Sequence, residues 1–305
     1  MLDTIKVKFP IEPTEEDLKT AWTLKSTRTQ KGEKNHYIYN PVLDEVTLRF
    51  TYIPVDYSGK SLLSLEFSLP KLLFNNNHQM IQSIDGAIKI ANLQLASVKH
   101  VPHLDLAEGI LMRLDMCYNH QVGDAVDDYI NAIGNLDYPH RRTKYHRHEG
   151  TEFKAKHKTT KFYNKEHESG LAEAHGILRQ EITILTGKDV QKFLGTPRPT
   201  LLDVSREIVK AELENDLQKL GLLNNSIANR DTAFETLSDT FGEHAGPYYF
   251  GILVSKNQKS RKRVAKEANM HPRSIDRKLK KMVDAGIPLT LTDQEEPLPP
   301  LIINL

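Results

Sequence analysis

The chain has 305 residues, 39% of them hydrophobic and 27% charged, the composition of an ordinary globular protein with length enough for two domains. Lys and Arg number 41 against 40 Asp and Glu, so no global charge excess announces a nucleic-acid binder. The single cysteine, Cys117, excludes an intramolecular disulfide and a cysteine-based zinc site and suits a reducing interior.

No apolar run reaches the ~18 residues that span a bilayer. The first residues alternate like a strand and lack a signal-peptide core. The expected location is the cytoplasm, with no membrane partner.

Taken in order, Ile5, Val7 and Phe9 alternate with Thr4, Lys6 and Lys8, which predicts a half-buried strand. Thr14 and the acids after it predict a short capped helix. Strands follow at His36 to Tyr39 and Glu45 to Ile53, then a turn at Tyr57 to Lys60. Leu63, Leu65, Phe67 and Leu69 alternate with polar residues and put Glu66 on a polar face. Pro70 stops that strand, a helical turn follows, and Met80 to Leu95 predicts an amphipathic helix.

Ile110 to Tyr118 predicts a strand with Arg113, Asp115 and Cys117 on one face. Asp124 to Ile133 predicts a helix, and Tyr138 to His148 a basic loop. Thr151 to Ala155 and Thr159 to Lys165 predict neighbouring strands. Ile177 to Leu185 predicts another, with Arg179, Glu181 and Thr183 on one face. Helices are expected at Gly187 to Leu194, Leu201 to Leu223, Thr232 to Phe241 and Pro247 to Val254, with a linker at Thr196 to Pro199.

The mixture, with strands following strands directly, predicts an α+β fold: a largely antiparallel sheet flanked by helices. An all-α C-terminal domain with a helix-turn-helix should follow. The expected domains are residues 1–195 and 196–305, the helix-turn-helix falling at about 260–286.

Charge is distributed unevenly. Arg141 to Lys165 holds nine Lys/Arg against two acids, and Lys259 to Lys281 ten against two. Two basic patches on a near-neutral chain point to two contact surfaces for a polyanion. In the first patch, Arg141, Arg142, Lys144 and Arg147 are candidate DNA contacts. His146 and His148 have the spacing of two imidazoles on one strand face, but Arg147 lies between them rather than an apolar residue.

Tyr163, with Lys161 and Lys165 two residues to either side, shares one strand face with both lysines. Cations there attract a DNA backbone and stabilise a phenolate and the charge that develops on phosphate. Tyr163, Lys161 and Lys165 are therefore the candidate catalytic residues. Glu66, Asp115 and Glu181 sit on polar strand faces. Converging there, they would hold Mg²⁺ or Mn²⁺ through oxygen ligands, with His157 as a further ligand. Arg113 and Arg179 each precede an acid by two residues on the same face, which makes a salt bridge the alternative.

In the second basic patch, Arg261 to Ala268 predicts a helix, Asn269 to Pro272 a turn, and Arg273 to Ala285 a second helix capped by Gly286. Ile275, Leu279 and Met282 face inward. This is helix-turn-helix logic. It makes Arg261, Lys262 and Arg263 candidate DNA contacts, with Arg273, Arg277, Lys278 and Lys281 on the second helix.

Four stretches carry a resemblance: Glu66-Phe-Ser-Leu-Pro-Lys71, Arg113-Leu-Asp115, Tyr163-Asn-Lys165-Glu-His-Glu168 and Leu178-Arg179-Gln-Glu181. Their order and spacing, with Ser274 to Ile287 as a closing helix, resembles the filamentous-phage gene II replication initiators and their plasmid and prophage relatives, from about Leu62 to Ile287. The resemblance implies a rolling-circle replication initiator. Such an enzyme is a metal-dependent, site-specific endonuclease that nicks one origin strand, stays joined to the 5′ phosphate through a tyrosine, and rejoins the ends. It places the nucleophile at Tyr163 and makes a host helicase an expected partner. The rival expectation is a non-catalytic helix-turn-helix origin binder or repressor, acting as a homodimer through its α+β domain. A hydrolytic nuclease would cut without an adduct. Should Tyr163 not be the nucleophile, Tyr118, Tyr138 and Tyr145 come next.

Overall fold

A computed structural model describes residues 1–11, 24–29, 35–40, 42–43, 46–53, 61–98, 104–146, 149–258 and 261–305. The chain is of the α+β class: its strands form a large antiparallel sheet, and helices pack against them. Contacts divide the chain into two compact units, residues 1–117 with 182–209 and residues 118–181 with 210–305. The packing therefore does not divide at the expected boundary after residue 195. Each unit is completed by a late segment.

The first unit holds β1 (Leu2–Ile11), β2 (Leu24–Thr29), β3 (Asn35–Tyr39), β4 (Val42–Leu43), β5 (Val46–Thr47), β6 (Arg49–Ile53) and β7 (Ser61–Ser68). It also holds α1 (Leu69–Phe74), α2 (Ile84–Ala96) and β8 (Ile110–Gln121) as far as Cys117. Its strand order is β2-β3-β6-β7-β1-β8, with β4 and β5 paired separately. Alternation sets the faces: Ile5, Val7, Leu63, Leu65 and Phe67 are buried, each worth about 1.5–3 kcal/mol. Lys6 stands opposite both Glu66 and Arg113 on the polar face. Ser68 caps α1, with Pro70 in its first turn. The Ser83 hydroxyl accepts from the Gly86 amide at 3.1 Å, which starts α2 at Ile84 rather than at Met80.

The second unit continues β8 from Tyr118 and adds α3 (Val126–Gly134), β9 (Arg142–His146), β10 (Gly150–Lys154), β11 (Lys158–Asn164), α4 (Lys165–Ser169) and β12 (Ile177–Ile184) as far as Glu181. Its strand order is β8-β12-β11-β10-β9, and α3 packs on β9, β10 and β11. The basic stretch expected as a loop contains β9. Its residues are exposed or half-buried throughout, so no apolar alternation marks it.

The chain then forms α5 (Gly187–Leu194) and α6 (Arg206–Leu220). The helix expected from Leu201 begins later. Asp203 accepts from the Thr200 amide at 2.7 Å and closes a single turn at Leu201–Asp203. After α6 come α7 (Arg230–Phe241), α8 (Gly246–Gln258), α9 (Arg261–Glu267) and α10 (Pro272–Asp284). Leu237, Leu253, Val264, Ile275, Leu279 and Met282 form their shared core.

Pro272 opens α10 and His271 caps it. Gly286, at φ 77°, turns the chain after its end. Lys256 donates to the Asn135 carbonyl at 2.9 Å and Thr290 to the Ala132 carbonyl at 2.6 Å. These bonds tie the helical segment to α3.

Among the described residues no helix is long and apolar enough to cross a membrane. The helix expected at Thr14, the turn at Tyr57 to Lys60, and Arg147 and His148 lie outside the described residues.

Candidate functional site

The site is built on β11. Phe162 is buried beside the Phe153 ring, and the Thr160 hydroxyl donates to Asp216. These residues fix one face of the strand inward. Lys161 and Tyr163 therefore face the other way. The neighbouring β12 presents Glu181 to them. The Tyr163 hydroxyl donates to Glu181 Oε2 at 3.0 Å, and Lys161 Nζ donates to Oε1 at 3.0 Å.

Glu181 is buried. Burial, the largest single influence, pushes its carboxyl upward. The Lys161 charge, hydrogen bonds from Lys161 and Tyr163, and the Arg179 charge together outweigh it and hold the group below the ordinary carboxylate range. Arg179, fully buried, donates from Nε to Asn119 Oδ1 at 2.8 Å.

Around this pair lies a cleft of ≈ 390 Å³, lined among others by His146, Glu149, Gly150, His167 and Glu168. Gly150 stands opposite Tyr163 in the β10–β11 register. A Cβ at that position would lie 2.5 Å from the Phe162 carbonyl oxygen and 2.7 Å from Tyr163 Cβ. Only glycine allows the two strands this spacing.

Lys165 departs from the expected arrangement. β11 ends at Asn164, whose side chain caps α4 by accepting from the His167 amide at 3.1 Å. Lys165 is thus the first residue of α4 and is fully buried. Its ammonium pairs with Glu168 and lies 5.7 Å from the centre of the Tyr163 ring. Its charge reaches Tyr163 through the ring rather than from the same strand face. Lys161 remains partly exposed at the cleft.

The three carboxylates expected as metal ligands have other partners in this structure. In the first unit Arg113 lies between Glu66 and Asp115, with 2.8 Å to the former and 2.7 and 3.0 Å to the latter; Lys6 adds a contact to Glu66 at 3.5 Å. The guanidinium occupies the place a cation would take, as the salt-bridge alternative has it. In the second unit Glu181 is engaged by Lys161 and Tyr163. His157 is exposed at the turn between β10 and β11, six residues along the strand from Tyr163 and so roughly 20 Å away. Among the described residues no group of three or more His, Cys, Asp or Glu is placed to hold a metal ion.

The basic candidates divide similarly. Arg142 and Lys144 are exposed on β9. Arg141 is turned inward: it donates to the Thr160 hydroxyl at 2.6 Å, stacks 3.8 Å over the Tyr138 ring and lies 3.6 Å from the buried Asp216. That carboxylate needs a counter-charge, and Arg141 serves it, so its expected DNA contact is not available in this conformation.

Lys262, Arg263, Arg273, Arg277 and Lys281 are exposed, with Arg263 paired to Glu267 at 3.1 Å. Lys278 is half-buried over the rings of Tyr248 and Tyr249, at 4.5 and 5.3 Å from their centres. The Arg261 side chain, like Arg147, lies outside the described residues.

The other tyrosines have different partners. Tyr138 donates to Asp216 at 2.6 Å, Tyr145 donates to Asn131, and Tyr118 accepts from the Asn304 amide at 3.2 Å. Sequence reasoning missed Gly150, Glu149, His167 and Glu168. An Asn164 N-cap reading would have started a helix at Lys165 and brought His167 and Glu168 within a turn of Tyr163.

No protein-family model matches the chain, and no curated protein matches it. Among solved structures it has a slight likeness to DynU16, a protein of the dynemicin biosynthetic locus. The two share 7% identity over 66% of this chain and 91% of that one, with a TM-score of 0.19, too little to bear on fold or function.

Proposed function

We propose that Tyr163 is the nucleophile of a nicking and closing reaction on DNA, of the kind a rolling-circle replication initiator performs. The observation that carries this reading is the 3.0 Å hydrogen bond from the Tyr163 hydroxyl to Glu181, beside Lys161 in an open cleft. A carboxylate held ionised and already accepting the phenol hydrogen is placed as a general base. Glu181 takes the proton, and the phenolate oxygen bonds to phosphorus. The bond from phosphorus to the 3′ oxygen breaks, and that oxygen leaves as a hydroxyl after gaining a proton.

Lys161 offsets the charge that develops on the phosphate. The product remains a phosphodiester, so a 3′ hydroxyl can reverse the step without ATP. The α9–α10 pair acts as the helix-turn-helix, and its exposed cations hold the neighbouring duplex. Glu66 and Asp115 are engaged by Arg113, so these steps are assigned to the chain's own side chains.

The test is incubation with supercoiled DNA of the replicon that encodes the chain, with Mg²⁺ or Mn²⁺ supplied. Nicked circles with protein joined to the 5′ end support the reading, and Tyr163→Phe should abolish the adduct. An adduct that survives Tyr163→Phe overturns the assignment. A non-catalytic origin binder is the second reading. It is favoured by the cationic side of α10, where Arg277, Lys278 and Lys281 line a recess with no carboxylate in its lining. Duplex binding with no adduct under any of these conditions would select it.

A further inference from the structure

On the flank of α10, Ser274, Arg277, Lys278 and Lys281 are spaced at i, i+3, i+4 and i+7, so they form one stripe along the helix. They line a recess of ≈ 320 Å³ with Tyr249 and Met270. The lining holds three cations, the hydroxyls of Ser274 and Tyr249, and no carboxylate. Like charges spaced this closely on a helix repel one another.

The recess is also held in shape. Lys278 lies over the Tyr248 and Tyr249 rings. The Tyr248 hydroxyl donates to Met270 Sδ at 2.7 Å. Ile275, Leu279 and Met282 are buried behind the stripe and fix the helix. The volume admits a tetrahedral anion with its first waters, and three cations in the lining favour one.

We propose that this recess is a seat for one backbone phosphate of duplex DNA, so that α10 docks by its flank on the sugar–phosphate chain. The inference rests on the DNA-binding part of the proposed function and specifies which contacts supply affinity. Arg277 and Lys281 flank the phosphate, Lys278 closes it from the aromatic side, and Ser274 donates a hydroxyl hydrogen. Contacts of this kind position a protein without reading sequence.

The test measures fluorescence anisotropy of the full chain with a labelled 20-base-pair duplex across a potassium chloride series. Replacing both Arg277 and Lys281 by Gln should lower the slope of log affinity against log salt by roughly 2, equally for duplexes of unrelated sequence. Lys278→Met should lower it by about 1. Ser274→Ala should weaken binding with the slope unchanged. Circular dichroism and thermal melting of each variant show that the fold is kept.

An unchanged slope in the double variant overturns the seat, as does a loss confined to one duplex sequence. A phosphorus NMR titration with inorganic phosphate separates the sources. Phosphate broadening that the double variant abolishes, with duplex binding unaltered, would make this a free-phosphate site and overturn the assignment to DNA. Absence of the tyrosine adduct in wild type would overturn the nicking reading and leave the seat standing on its own slope.

Discussion

The hydroxyl of Tyr163 and the carboxylate of Glu181 share a 3.0 Å hydrogen bond across adjacent strands, β11 and β12. Glu181 is buried, so the phenol both supplies the proposed nucleophile and satisfies an interior acceptor. Tyr163→Phe keeps the ring and removes the donor. The expected results are loss of the covalent adduct and a stability loss of about 1 kcal/mol by denaturant unfolding. An unchanged unfolding midpoint would contradict the bond.

Gly150→Ala tests the spacing of β10 and β11. The added methyl meets the Phe162 carbonyl and Tyr163 Cβ, so one strand must shift. The expected cost is about 1–3 kcal/mol, with a slower adduct-forming step, since Tyr163 moves with its strand. Urea titration and single-turnover adduct assays check both.

Glu181 also makes stability depend on pH. Its carboxyl is held below the ordinary range when folded, so the unfolded chain binds the proton more readily. The contribution is fully present above the ordinary glutamate value, near 4.5, and is lost as pH falls through the lower folded value. Glu181→Gln should therefore show its largest deficit relative to wild type above about pH 5 and a shrinking one below. Melting temperatures from pH 3 to 7 measure it.

His120 gives a separate window. Burial pushes its imidazole from 6.5 down to about 4, against opposing bonds from Gln180 and the Ile302 backbone. The folded value is depressed, so its contribution is complete above pH 6.5 and is lost between there and about 4. A shift of this size corresponds to roughly 3 kcal/mol. His120→Gln should flatten the stability curve in that interval, and urea midpoints taken at half-unit steps of pH check it.

Asp216 is the counter-charge of the second unit. It accepts from Tyr138 at 2.6 Å, from Lys158 at 2.7 Å and from Thr160. Asp216→Ala leaves Arg141 and Lys158 without it and should cost about 3–5 kcal/mol. Calorimetric unfolding measures the loss.

Much of the fold was legible from strand parity. Alternation in β1 and β7 gave the buried faces because one side meets a core and the other is polar, whereas β8 is buried on both faces from Leu114 to Cys117. Parity on β11 likewise put Lys161 and Tyr163 together. β9 was not legible: an exposed strand leaves no apolar trace. Parity also assigned Lys165 to β11, although Asn164 ends the strand there by capping α4. Parity names a face but not the partner of each side chain on it. Glu66 and Asp115 were therefore grouped with Glu181, whereas Arg113 already binds both. The division into units was hidden for the same reason: Lys256 and Thr290 tie the late helices to α3 by bonds no local pattern records.

Each unit is closed by a late segment, and this bears on how the chain matures on the ribosome. The first unit's residues through Cys117 leave the exit tunnel well before residues 182–209 that complete it, roughly ninety residues and several seconds of translation earlier. During that interval a nascent sheet waits with unsatisfied edges. A fragment ending near residue 195 would lack part of one unit and the late helices of the other, so neither half is a natural expression boundary.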